Sequence, residues 1–256
     1  MNMWEAPNVE LSGPRFWRSM LTAWFSRRVV FAPGWQSASY RRILSARSAG
    51  RMLSSQAERS EVFVERFVMP ILIGCEESQV VCKAFRDAGY EAYSCDVQQT
   101  RGNPDWHIQG DIMQVIPTRR WDLIILHPDC TAMAVSGNRW YGTGMPYHDQ
   151  REKAVRWTLE LWELAKKYSN RVALENPVSV IFKHLPNVHY IQPHEHGHGE
   201  TKKTGFALHN LEPLMPTNKV DGREQRVWKM PPSPIRKRDR SRTFDGVARA
   251  MVLHWA

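Results

Sequence analysis

Short apolar runs that alternate with helix-like stretches constrain the fold of this chain more than any other feature. Three such runs follow Met69, at 70–75, 121–126 and 171–175, and a further strand is expected at 90–95. Their length and apolar character are typical of strands buried on both faces. Between them, the stretches 79–88 and 148–168 place apolar residues at helical spacing. This alternation predicts a doubly wound α/β fold with a mostly parallel sheet.

The first helix-like stretch carries signals for both of its ends. Ser78 is expected to cap its N-terminus, and Gly89 is well placed to end it. The next strand closes on an acidic residue, Asp96. These residues together predict a β-α-β unit.

Chemically reactive side chains stand where the predicted strands end. They are Cys75, Asp96, Cys130 and Glu175. Ligands of doubly wound sheets bind beyond the carboxyl ends of the strands. Core packing does not predict this coincidence, so the pattern indicates a functional site.

Cys130 follows an apolar strand and a turn that Pro128 stiffens, which helps to aim a side chain. A nucleophilic cysteine needs partial exposure and an electropositive setting. The alternative is an ordinary buried cysteine, which behaves as a small hydrophobe. Glu175 ends another strand, where a carboxylate is costly unless it is hydrogen-bonded or functional. Its alternative is a surface residue that begins a loop.

Several ordered motifs make a family resemblance specific. The sequence reads His-Pro-Asp-Cys-Thr at 127–131, Glu-Asn-Pro at 175–177 and Gly-His-Gly-Glu-Thr-Lys-Lys-Thr at 197–204. Its tail reads Arg-Ser-Arg-Thr-Phe-Asp-Gly at 240–246, before an apolar helix. Residues 69–256 therefore resemble the cytosine-C5 DNA methyltransferase family, and more closely its compact phage-type members. The resemblance implies a class I S-adenosylmethionine-dependent methyltransferase fold of the Rossmann-like type.

The resemblance also implies catalytic roles. Cys130 matches the nucleophile that adds to C6 of cytosine, and Glu175 the acid that stabilises charge at N3. Asn176 matches the structural partner of that acid. Lys202 and Lys203 lie where larger family members carry a pair of arginines near the target base.

The implied cofactor is S-adenosylmethionine. The first strand-to-helix turn matches the segment that holds its methionine end, although this turn is not glycine-rich. Asp96 matches the acid that hydrogen-bonds the ribose hydroxyls. The segment at 110–112 matches the one that contacts the adenine amino group. The alternative for Asp111 is a plain turn residue. The expected cofactor contacts are Gly74, Cys75, Glu76, Glu77, Asp96, Asp111, Ile112, His127 and Pro128.

Two departures from the family pattern bear on function. The recognition segment, near 205–242, is shorter than a usual domain, so short loops or a partner must supply sequence preference. Asp129 replaces the second proline of the larger enzymes' turn. An acid beside Cys130 disfavours the thiolate unless His127 or Lys202 offsets its charge.

Three functions stay open at this point. The first is methyl transfer to cytosine C5 in DNA, and the second is the same chemistry on a free pyrimidine nucleotide. The third is a catalytically weak protein that binds nucleic acid and cofactor. The basic run 236–242 is either a phosphate contact or a solvated loop.

Composition separates residues 1–68 from the remainder. They hold ten Arg, no Lys and five acidic residues, whereas the whole chain carries a net charge of +9. This poorly patterned extension is either a leader of the organelle type or upstream sequence outside the working protein.

The four cysteines form no CxxC pair, which indicates a reduced, cytoplasmic protein. No membrane partner or metal is expected, although alternating histidines at 194–198 are a weak metal candidate. No oligomeric state is indicated.

Overall fold

The computed structural model describes residues 69–256 of the chain. The predictions made for residues 1–68 lie outside the described residues. The strands are β1 Ile71–Gly74, β2 Ala92–Asp96, β3 His107–Gln109, β4 Leu123–Leu126, β5 Val172–Pro177, β6 Val188–Ile191 and β7 Thr204–His209. The α-helices are α1 Val80–Asp87, α2 Ile112–Val115, α3 Asn138–Tyr141, α4 His148–Tyr168, α5 Arg226–Lys229, α6 Arg236–Ser241 and α7 Asp245–Trp255. Short 3₁₀ helices span Pro104–Trp106, Ile116–Thr118, Val135–Gly137, Val180–Lys183 and Pro193–Glu195.

One seven-stranded sheet runs in the order β3-β2-β1-β4-β5-β7-β6. Strand β7 is antiparallel to both of its neighbours, and the other pairings are parallel. The chain moves outward in one direction from β1 and in the other from β4, so the switch point lies between these two strands. The prediction of a doubly wound, mostly parallel sheet is confirmed.

The core forms two apolar layers because successive strand residues face opposite sides of the sheet. On one face, Ile71 and Ile73 pack with α1 and with α7, whose Trp255 is buried. On the other face, Leu72 packs in a cluster that includes Trp162 of α4. A parallel sheet needs this cover on both faces, which explains the continuous apolar strands.

Two sequence predictions need correction. Ser78 is not the N-cap of α1, because Gln79 holds that position and makes no side-chain cap. The Glu76 carboxylate instead accepts the N–H groups of Val81 and Cys82, at 2.7 and 3.1 Å. Gly89 follows the helix with a φ of 89°, as its predicted role requires.

The second correction concerns the recognition segment. Its first residues, 205–209, belong to β7, which lies between β5 and β6 in the sheet. The sequence analysis identified neither β7 nor β3 as strands. Of the helices among residues 69–256, none has the length and apolarity to cross a membrane.

Candidate active site

The turn at 127–130 begins where β4 ends, beside the switch point of the sheet. The backbone N–H of His127 donates to the Gly74 carbonyl at 2.9 Å and so extends the β1–β4 pairing. Asn176, which is 1% exposed, donates from Nδ2 to the Pro128 carbonyl at 3.0 Å. Two neighbouring strands therefore fix the position of the residues that precede Cys130.

His127 joins this turn to the carboxylate on β5. Its Nδ1 lies 3.1 Å from Oε2 of Glu175, and both side chains are largely buried. Its Nε2 is buried and has no protein partner in the described structure. Burial raises the pKa of Glu76, and the nearby His127 opposes that shift. The imidazole thus stands between two carboxylates, of which Glu175 is the hydrogen-bonded one.

The Cys130 thiol is half-buried next to charges of both signs. Burial raises its pKa most, and the Glu175 and Asp129 carboxylates add to that shift. Lys202 acts in the opposite direction. The thiolate therefore needs the Lys202 charge, since a thiolate is the nucleophilic form of cysteine.

Asp129 is held by partners that the sequence analysis did not name. Its Oδ2 lies 2.9 Å from Nζ of Lys237, and its Oδ1 accepts from Oγ1 and N of Thr131 at 2.6 and 2.9 Å. Although burial opposes ionisation, these hydrogen bonds keep the pKa of the Asp129 carboxyl below its usual value. Lys237 thus pairs with Asp129 directly, and of the two predicted cations Lys202 opposes the effect of Asp129 on the Cys130 thiol. The basic run that contains Lys237 was a signal for it.

The two predicted lysines lie in different surroundings. Lys202 lines a cleft, and its Nζ donates to the Arg240 carbonyl at 3.0 Å. Lys203 places its Nζ 4.5 Å from the ring centroid of Tyr190 on β6, away from that cleft. Only Lys202 acts on the pKa of Cys130.

The cleft has a volume of about 280 Å³, including its open mouth. Polar and aromatic groups line it together, among them Glu175, Lys202, Thr204, Phe206 and Phe244. Cys130 is not part of this lining.

The first turn, 74–79, contains one glycine, Gly74. Cys75 and Gln79 both adopt positive φ, at 60° and 58°, a region that glycine normally fills. The Gln79 side chain is buried and bonds the backbone of Asn103 on both sides, at 2.7 and 3.0 Å. The sequence analysis missed this role of Gln79. The Glu77 carboxylate is engaged by Arg101 at 2.7 and 2.8 Å.

Carboxylates converge on Cys75 from the ends of β2 and β3. Burial raises the pKa of the Cys75 thiol most, followed by Asp96, and Asp111 adds to the shift. Asp96 is half-buried and accepts the Gln98 N–H at 2.8 Å. The Asp111 side chain accepts the Met113 N–H at 2.9 Å and caps the N-terminus of α2. This local structural role agrees with the alternative given for Asp111 in the sequence analysis. Buried Ile112 packs against Gly74, where a Cβ would lie 2.8 Å from its Cδ1.

A buried arginine that the sequence analysis missed organises the segment after Cys130. Arg151 of α4 is 8% exposed. Its guanidinium donates to the carbonyls of Ala132 and Ala134 at 2.7 and 3.3 Å, and to Oδ1 of Asn138 at 2.8 Å. A single arginine inside an amphipathic helix carries no sequence signal for this role.

The alternating histidines bind other parts of the protein. His196 places Nδ1 3.0 Å from Oγ1 of Thr217, and His198 accepts the Gly246 N–H at 2.8 Å. Within residues 69–256, no group of three or more histidine, cysteine, aspartate or glutamate side chains could hold a metal ion.

Comparisons with known proteins found distant structural similarity. No protein-family profile and no curated protein matches the sequence. A solved structure described as a DNA modification methyltransferase from an Escherichia coli prophage is 11% identical, with a TM-score of 0.44. Alignment covers 64% of this chain and 55% of that one, so the chain spans about half of its length.

Two further solved structures are similar to the chain. Dnmt2 methyltransferase of S. pombe is 11% identical, with a TM-score of 0.36 and coverage of 63% of this chain and 54% of that one. The bifunctional kinase-methyltransferase WbdD is 13% identical, with a TM-score of 0.36 and coverage of 58% and 36%. The strand order itself shows a doubly wound, Rossmann-like α/β sheet with one antiparallel strand.

Proposed function

We propose that this protein transfers a methyl group from S-adenosylmethionine to C5 of cytosine in DNA. One observation carries the proposal. Cys130 follows β4, Glu175 lies on the neighbouring strand β5, and the charges of Glu175 and Lys202 act in opposite directions on the pKa of the Cys130 thiol, which burial raises most. Cys130 and Glu175 have the chemistry that attack on a pyrimidine ring requires.

The residues at the ends of β1, β2 and β3 fit the cofactor. Asp96 and Asp111 gather around Cys75, and carboxylates of this kind accept hydrogen bonds from ribose hydroxyls and an amino group. Glu77 fits less well, because Arg101 already holds its carboxylate. When bound, the cofactor supplies an electrophilic methyl group. The expected contacts of Gly74, Glu76, Ile112 and Pro128 remain part of the proposal.

The catalytic steps follow from the side chains. The Cys130 thiolate adds to C6 of the ring, and Glu175 meets the charge that develops at N3. His127 orients Glu175 through the bond to its Oε2. The enamine that results makes C5 nucleophilic enough to accept the methyl group. The C5 proton then passes to a solvent water, and the C6–S bond breaks, which releases the Cys130 thiolate and restores the aromatic ring.

Lys202 has two supporting roles in this proposal. Its charge favours the Cys130 thiolate, and its bond to the Arg240 carbonyl ties the cleft to α6. Lys203 faces Tyr190 and is expected to contribute little to the reaction.

The test is methyl transfer from tritiated S-adenosylmethionine to cytosine-containing DNA, followed by base analysis. Label is expected in 5-methylcytosine with the natural protein and not with Cys130→Ser. Cys82→Ser is the matched control, because Cys82 is a cysteine of α1 to which the proposal gives no role in the reaction. Labelled free deoxycytidine nucleotide without labelled DNA would contradict the DNA proposal.

Cofactor binding has its own test. Asp96→Ala removes charge-assisted hydrogen bonds that each contribute about 1.5–3 kcal/mol, so affinity should fall at least about tenfold. Calorimetry on the folded variant measures this loss. Unchanged affinity would place the cofactor elsewhere.

A further inference from the structure

An exposed group of aromatic side chains follows the Cys130 segment, and we name it the aromatic rim: Trp140, Tyr141 and Tyr147. Trp140 and Tyr147 are 49% and 46% exposed, with ring centroids 6.5 Å apart. The centroids of Tyr141 and Tyr147 are 5.7 Å apart. The Tyr147 N–H donates to the Trp140 carbonyl at 3.0 Å, so the rim is a folded unit. Grouped exposed rings of this kind mark a surface that binds something.

Cations surround the aromatic rim. The Arg139 guanidinium lies 5.4 Å from the ring centroid of Trp140. On the side facing α6, a hydrogen bond to Asp129 raises the pKa of Lys237 most, and the Tyr141 phenol adds to that shift. Lys237 also bonds Asp129, the residue before Cys130. Arg151 bonds both Ala132 and Asn138, at 2.7 and 2.8 Å, so the helix that carries Trp140 and Tyr141 is tied to the segment that follows Cys130.

Aromatic faces beside cations fit a polyanion that carries flat rings, which is a nucleic acid with unpaired bases. Every base has a π-face that stacks on tryptophan or tyrosine, while lysine and arginine follow the phosphates. An acidic peptide would satisfy the cations and leave the ring faces uncovered.

Duplex DNA fits this surface poorly. Its stacked bases present edges, and those edges are read by an element that enters a groove about 12 Å wide. The helices between β7 and α7 are short: α5 has four residues and α6 has six. At 1.5 Å per residue, α6 is only about 9 Å long.

We propose that the aromatic rim stacks an unpaired base next to the target cytosine, which makes single-stranded DNA the preferred substrate. The inference rests on the proposed function for the identity of the target. A strand with no partner also removes the unpairing cost of a few kcal/mol that base flipping requires. Recognition then needs no separate domain, which agrees with the short segment between β7 and α7.

Fluorescence anisotropy with a labelled cytosine-containing 20-mer, single-stranded or paired with its complement, tests the inference on the full chain. The single strand should bind at least about tenfold tighter than the duplex. Trp140→Ala and Tyr147→Ala should each weaken single-strand binding about tenfold and change duplex binding less than about twofold. Trp140→Phe should keep most of the affinity, which separates stacking from misfolding. Trp157→Ala is the matched control, because Trp157 of α4 is exposed and outside the rim.

Equal or tighter binding of the duplex would overturn the inference, and so would full single-strand affinity in Trp140→Ala. Failure to bind either oligonucleotide would also overturn it. Methyl transfer measured in the same preparations separates the two proposals. Rim-dependent binding without transfer contradicts the proposed function alone, whereas transfer to duplex that ignores Trp140 contradicts the inference alone.

Discussion

Replacing Arg151 by methionine is expected to loosen the segment that follows Cys130. Two of its hydrogen bonds, to Ala132 and Asn138, are 2.7 and 2.8 Å long. Bonds from a charged donor contribute about 1.5 kcal/mol or more each, so their loss should cost about 3 kcal/mol. For a domain of this size that lowers the melting temperature by about 6–12 °C. It also makes local opening of the segment about a hundredfold more frequent.

Alkylation of Cys130 by iodoacetamide, mapped by mass spectrometry, measures that opening. The rate in Arg151→Met should rise at least about tenfold, and methyl transfer should fall. Arg151→Lys keeps the charge but loses the forked geometry, so it should give an intermediate rate. Arg156→Met changes an exposed arginine of the same helix and should match the natural protein. If Arg151→Met melts and alkylates like the natural protein, Arg151 does not position the segment.

Two further predictions follow from the charges and the packing. Burial raises the pKa of Cys130, so its alkylation rate should still increase with pH above the range in which a free thiol ionises. Lys202→Met removes the opposing charge and should move this increase to higher pH. An alkylation profile that is the same in Lys202→Met would contradict the role of Lys202. Gly246→Ala would place a Cβ 1.8 Å from the His196 carbonyl oxygen and should lower the free energy of unfolding by about 1–3 kcal/mol. Thermal denaturation measures this loss, with Gly199→Ala as the control because the nearest atom to its added Cβ lies 3.6 Å away. Equal melting temperatures of the two variants would contradict the predicted clash at the start of α7.

The parts of the fold with strong local patterns could be predicted from the sequence. Apolar runs predicted β1, β4 and β5, since strands covered on both faces require such runs, and β2 was also predicted although its stretch includes polar residues. The long helix His148–Tyr168 was found at its observed ends. Strand β7, Thr204–His209, was not predicted. It directly follows the motif at 197–204, and the sequence analysis used that motif without considering the apolar residues after it.

The site could be predicted only where residues carry a motif. Strand ends located Cys130 and Glu175, but contacts between distant segments leave no local pattern. Lys237 reaches Asp129 from 108 residues along the chain, and Arg151 bonds a loop from inside a helix. The prediction that Ser78 caps α1 was wrong for the same reason. The side chain that accepts N–H groups at the start of α1 belongs to Glu76, which lies outside the usual cap position.

Covalent trapping tests the central claim most directly. DNA that carries 5-fluorocytosine, offered both single-stranded and as duplex, is incubated with the protein and S-adenosylmethionine, and the products are analysed by mass spectrometry. Fluorine at C5 blocks the final elimination, so a covalent adduct should accumulate on Cys130. The adduct should form only when the cofactor is present. In Glu175→Gln it should form about a hundredfold more slowly, because the acid that assists at N3 is lost. No adduct with either DNA, or an adduct on Cys75, Cys82 or Cys95, would contradict the assignment of Cys130 as the nucleophile.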